Sequence, residues 1–162
     1  MNAAVAWSVL GIIVVAVYIT WTAGRLDRMH ARVDAAWAAL DAQLVRRAAA
    51  ALALGLPSLA SPAEAALEAP PEVRQEVENE LSRALRAVWP QVPPGPKRDE
   101  VAAAASRVAL ARSFHNGAVT NARALRRNRL VRLLHLAGYR AAPEFFDVDE
   151  TDFSDEATAS GA

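Results

Sequence analysis

Between Ala3 and Gly24 the chain carries no charged side chain, and Arg25, Arg28 and Arg32 follow at once. As a helix rising about 1.5 Å per residue, roughly 22 residues reach about 33 Å, slightly more than a hydrocarbon core of about 30 Å. The run therefore predicts a single membrane span with a little tilt. Only Met1 and Asn2 precede it, whereas a cleaved export signal carries a basic segment ahead of a shorter apolar run of about 7 to 15 residues. An uncleaved anchor is the expectation. Trp7 near one end, and Tyr18 and Trp21 near the other, suit the two interfaces. Basic residues flank the run only on its C-terminal side, so the positive-inside bias places the N-terminus outside and the rest of the chain in the cytoplasm, at the cell membrane. The competing reading is a buried helix of a soluble protein. In a chain of 162 residues, a helix apolar on every face has too little protein to hide in.

Removing residues 1–24 leaves about 138 residues, enough for one domain around one core. The sequence contains no cysteine, which excludes disulfide frameworks, zinc–thiolate sites and thiol nucleophiles. The expected fold class is all-α, with the N-terminal transmembrane helix followed by an antiparallel bundle of long helices over residues 25–146. Leu26, Met29, Val33, Trp37, Leu40, Leu44 and Ala48 recur at three and four residues, which keeps one helical face apolar and continues the anchor into the bundle. Gly55, Pro57, Pro62, Pro70 and Pro71 then predict a connector with at most a short helix between Ala63 and Leu67. A second helix is expected from near Pro71 to Trp89, burying Val73, Val77, Leu81, Leu85 and Val88. Gln91 to Pro96 reads as a turn, and Asp99 as the N-cap of a third helix. That helix has a seam of small residues, Val101, Ala104, Val108, Ala111, Ala118 and Ala122, and continues through Leu125, Leu130, Leu133 and Leu134 to a stop at Gly138.

Charge is balanced overall and sharply sorted near the end of the chain. Between Val101 and Pro143 there are eight arginines and no acid, and from Glu144 to Ala162 seven acids and no base. Residues 147–162 combine Asp, Glu, Ser, Thr, Ala and Gly, which bury too little apolar surface to stay folded alone, and an acidic disordered tail is expected. Phe145 and Phe146 are expected to cap the bundle.

Ala36, Trp37, Leu40, Asp41, Gln43, Leu44, Arg46 and Arg47 spell A-W-x-x-L-D-x-Q-L-x-R-R directly after a membrane helix. In this the chain resembles the LemA family. Three further stretches agree in order: Asn79, Leu81, Ala84 and Leu85; then Val108, Ala109, Ala111, Arg112, Asn116 and Val119; and finally Ala137, Gly138, Tyr139, Pro143, Phe145 and Phe146. The resemblance covers most of residues 26–146. It implies a single N-terminal anchor with a short outer N-terminus and a long antiparallel helical bundle behind it. The family's molecular activity is not established, and some relatives are associated with bacterial membrane organelles. This chain departs from the family pattern at His115, in place of the usual tyrosine, at Ala122 and Arg123, in place of a second Tyr-Asn, and at Ala105, in place of a frequent glutamate.

Two groups of residues stand out as candidate sites. Asp41, Gln43 and Arg47 flank the apolar seam of the first bundle helix, and Arg112, His115 and Asn116 lie near the apolar side of the last. Together they are expected to form an interhelical polar clasp that fixes helix register, because a partly buried charge requires a partner; recognition of a partner is the other reading. Arg123, Arg126, Arg127, Arg129 and Arg132 form the strongest charge cluster. It reads first as a solvated helix end neutralised by the acidic tail, next as a contact for anionic lipid headgroups or a partner, and last as a nucleic-acid contact, since no stacking aromatics interleave it. His30, His115 and His135 are isolated, and no phosphate loop, dinucleotide fingerprint or nucleophile elbow is present. Neither a catalytic residue nor a metal or cofactor is expected. The resulting picture is a non-enzymatic, membrane-anchored interaction or scaffold protein that binds another protein or itself, with an anionic-lipid-binding or membrane-remodelling module as the alternative.

Overall fold

The computed structural model describes residues 2–126 and 143–148. The fold is all-α: α1 runs Ala3–Ala53, α2 Pro57–Glu68, α3 Arg74–Val88 and α4 Pro96–Arg126, with a single 3₁₀ turn at Trp89–Gln91 between α3 and α4. The apolar run and the seam beginning at Met29 thus belong to one uninterrupted helix. Gly55, at φ 73°, ends it in the left-handed conformation that only glycine adopts without strain. The chain divides into two compact units, one of Met1–Ala35 with Gly117–Glu144 and the other of Ala36–Asn116 with Phe145–Ala162.

In the first unit, Trp7, Ile12, Ile13, Val14, Val17 and Trp21 are exposed around the full circumference of α1, and none of its most apolar window is buried. It is the one helix among the described residues long and apolar enough to cross a membrane. Its few polar side chains turn inward on the helix itself. Ser8 Oγ donates to the Ala4 carbonyl and Thr20 Oγ1 to the Ala16 carbonyl, both at 2.9 Å, which removes two hydroxyls from any need for water. Arg25 lies 5.7 Å from the Trp21 ring centre, where the basic flank begins. Further along, Val33 packs with Val119 and Ala122 of α4, so the small-residue seam does bring two helices close.

The second unit holds two cores. Ala48 and Ala51 of α1, Leu59, Ala63 and Ala66 of α2, Leu81 and Leu85 of α3, Trp89, and Val101 and Ala104 of α4 make the larger. Leu40 and Leu44 of α1, Val108 of α4, and Phe146 and Val148 make the smaller, with Trp37 and Ala111 against it.

Several sequence expectations require correction here. The connector from Gly55 to Pro71 is helical over most of its length. Pro57 sits in the first turn, where its missing N–H costs nothing, and Pro62 lies inside the helix at a cost of about 3 kcal/mol. Complete burial of Leu59, worth about 1.5–3 kcal/mol, together with Ala63 and Ala66 on the same face, offsets that cost. The next helix begins at Arg74, not near Pro71, and Val73, expected in the core, is its N-cap and is 42% exposed. Asp99 is not an N-cap. α4 begins at Pro96, the Gly95 carbonyl accepts the Asp99 N–H at 3.0 Å, and Asp99 sits in the first turn, where its charge complements the helix dipole. The continuation of the last helix through Leu130, Leu133 and Leu134 to Gly138 lies outside the described residues.

Candidate functional site

The most deeply buried polar group lies between α1 and α3 in the second unit. α3 turns Arg74, Glu78 and Ser82 inward at intervals of four, beside Leu81 and Leu85. Glu78 Oε2 accepts a hydrogen bond from Arg47 Nη2 at 2.7 Å, and the two side chains are 0% and 3% exposed. Arg47 Nη2 also donates to the Glu78 backbone carbonyl at 3.3 Å. Arg74 Nη2 stands 2.6 Å from Asp41 Oδ1, and Arg74 Nη1 donates to the Ala66 carbonyl and approaches Glu78 Oε1 at 4.0 Å. Two acids and two arginines thus alternate, and Arg74 ties α2 to the α1–α3 pair. Burial raises the Glu78 carboxyl above its ordinary 4.5, against the opposing pull of the Arg47 and Arg74 guanidinium groups. A quartet of this kind fixes which residues of three helices face one another, because removing one member leaves a buried charge without its counterpart.

The smaller core carries the second polar group. Phe146 and Val148 are buried and Phe145 and Asp147 exposed, so alternate residues of the segment turn into the helices. Asn116 holds its backbone from both sides: Nδ2 donates to the Phe146 carbonyl and Oδ1 accepts the Phe146 N–H, each at 3.0 Å. Arg112 Nη1 donates to the Val148 carbonyl at 2.7 Å and lies 3.8 Å from Asp147 Oδ1. Trp37 forms the wall, with His115 and Phe146 edge-on to its ring at centroid distances of 5.5 and 5.4 Å.

The residues expected in one clasp are therefore distributed over two places. Asp41 and Arg47 take Arg74 and Glu78 as partners; Arg112, His115 and Asn116 gather around Trp37 and residues 146–148. Gln43 belongs with neither: it lines a shallow groove of about 220 Å³ with Ala36, Ala39, Leu110 and Phe114, and its buried Oε1 has no hydrogen-bond partner. Arg74, Glu78 and Ser82 are the buried residues that sequence reasoning missed. Arg74 and Glu78, four apart, read as an exposed helical ion pair; the only available signal was that they border the Val77–Leu81 stripe.

Of the arginine cluster, Arg123 Nε donates to the Pro143 carbonyl at 2.7 Å within the first unit. Arg126 ends α4; Arg127, Arg129 and Arg132 lie outside the described residues, as does the acidic tail from Asp149 onward. Among the described residues no three His, Asp or Glu side chains converge where a metal ion could be held. Comparison with protein-family models, with curated proteins and with solved structures returns no match.

Proposed function

We propose that this chain is a single-pass, membrane-anchored interaction or scaffold protein of the LemA type, with its N-terminus outside and a helical bundle in the cytoplasm that binds another protein or itself and catalyses no reaction. One observation carries the reading. The first stretch of α1 exposes apolar side chains on every side, while the same helix, from Leu40 onward, supplies two cores and a buried ion-pair quartet. A helix of that kind needs lipid around one part and protein around the other. The one-sided arginines support the orientation, and the sequence blocks around Trp37, Asp41 and Arg47 support the family type.

Parallel fusions of a fluorescent protein and an export-dependent reporter to the C-terminus test the orientation. Fluorescence without export activity is expected, and export activity alone reverses the topology. Crosslinking in native membranes followed by mass spectrometry tests the interaction role. Recurrent protein neighbours or self-crosslinks are expected, whereas a chain without neighbours that turns over a substrate ends the scaffold reading.

The separation of arginines from acids along the sequence favours one second reading, an anionic-lipid contact through Arg123, Arg126, Arg127, Arg129 and Arg132, at about 1 kcal/mol for each residue close to the surface. Sedimentation of residues 25–162 with anionic but not neutral liposomes, lost when the five arginines are replaced, is the expected result for that reading. Equal sedimentation with both rejects it.

A further inference from the structure

The segment around Phe146 is held in a manner suited to a ligand. Asn116 engages both the N–H and the carbonyl of one residue, as a neighbouring strand would, and Arg112 caps the next carbonyl along the buried edge. These contacts read main chain, so they specify an extended backbone and its direction, and not a side-chain sequence. Specificity comes from two apolar seats spaced two residues apart, filled by Phe146 and Val148 against Trp37, Leu40, Leu44 and Val108, and from the arginine beside Asp147. The site is thus a receptor for an extended peptide carrying an acid between an aromatic and an aliphatic residue.

We infer that this groove takes, in trans, the Phe145–Val148 segment of a second copy of the chain, so that copies at the membrane associate by exchanging it. The inference rests on the membrane-anchored interaction reading and names its partner. Three observations support a second copy. The segment that fits the groove is present on every copy. Reciprocal exchange preserves each hydrogen bond and each apolar contact, so it costs only the entropy of association, and anchoring in one bilayer reduces that cost by raising effective concentration. The same unit also leaves Leu110 and Phe114 of α4 58% and 67% exposed, beside the unpartnered Gln43 Oε1, a face that a donor copy would cover.

Complementation between full-length chains in proteoliposomes tests this. An acceptor carrying Phe146→Ala and Val148→Ser keeps the groove and loses the segment; a donor carrying Asn116→Ala and Arg112→Ala keeps the segment and loses the groove. With different tags, the mixed pair is expected to co-purify about tenfold or more above either variant alone. Folded, membrane-bound variants that co-purify no better mixed than separate overturn the exchange. Val148→Ser alone and Asn116→Ala alone are the milder acceptor and donor should a double variant lose its helicity. Collapse of these as well makes the segment a fixed part of the core, which also overturns the proposal. Failure to complement by variants that sediment with the vesicles leaves the anchor reading standing, whereas loss of both variants from the vesicles removes that reading first.

Discussion

Two stretches of α1 meet opposite demands with the same backbone. From Ala3 to Gly24 the helix carries no charge and leaves its apolar side chains uncovered; from Ala36 to Ala53 it buries Leu40, Leu44 and Ala48 and, beside them, the guanidinium of Arg47. The first stretch makes no use of polar partners beyond its own backbone, to which Ser8 and Thr20 return their hydroxyls. The second buries charge because α3 supplies the counterion within hydrogen-bonding distance. Apolar surface without protein cover requires a different solvent, and buried charge requires a fixed partner in the same fold.

Removing the partner breaks the second half of that comparison with the largest expected effect. Glu78→Ala leaves Arg47 buried and unpaired, and should lower the unfolding free energy by about 3–5 kcal/mol, read by urea denaturation of the detergent-solubilised chain. The sign of the pH dependence follows from the raised Glu78 carboxyl. Its folded form holds a proton more tightly than the unfolded chain does. The stability this group contributes is therefore fully present below the ordinary 4.5 and is lost as pH rises through the raised folded value. Glu78→Gln should remove that part of the pH dependence, and an unchanged profile in this variant would assign it to other groups.

Placing a charge in the first stretch breaks the other half. Ile13→Arg, near the middle of the run, should cost about 2.5–3.5 kcal/mol of insertion free energy and shift the chain from the membrane to the soluble or aggregated fraction. Asn116→Ala removes both hydrogen bonds to Phe146 and should cost about 1–3 kcal/mol, with faster proteolysis after Phe145 or Phe146 as a second readout. Asp41→Asn should cost under about 1 kcal/mol, since Asp41 is more than a third exposed and water compensates for the lost charge. A loss as large as that of Glu78→Ala would place Asp41 among the essential members of the quartet.

Much of this was legible from spacing. The three-and-four recurrence of Val33, Leu40, Leu44 and Ala48 marks residues that are buried, and the uncharged run marks the helix that stays uncovered. What escaped has physical reasons. Pro62 argues locally against a helix, yet burial of Leu59, Ala63 and Ala66 outweighs it, and burial is a tertiary quantity. Arg74 and Glu78 look like surface residues until Asp41 and Arg47 are known to lie opposite them. Asp41, Gln43 and Arg47 were recognisable as seam-flanking polar residues; which elements they face depends on how α2 and α3 return against α1. Val148 was hidden by the acids around it, because composition averages over a segment in which only alternate residues turn inward.

The central claim is that α1 needs lipid at one end and protein at the other. Alkaline extraction of membranes bearing the full chain, in parallel with a chain lacking residues 3–24, tests it most directly. The account predicts that the full chain stays in the pellet, while the shortened chain is soluble, helical and cooperative in unfolding. A full chain that is released soluble and monodisperse, or a shortened chain that still pellets with the membrane, contradicts it.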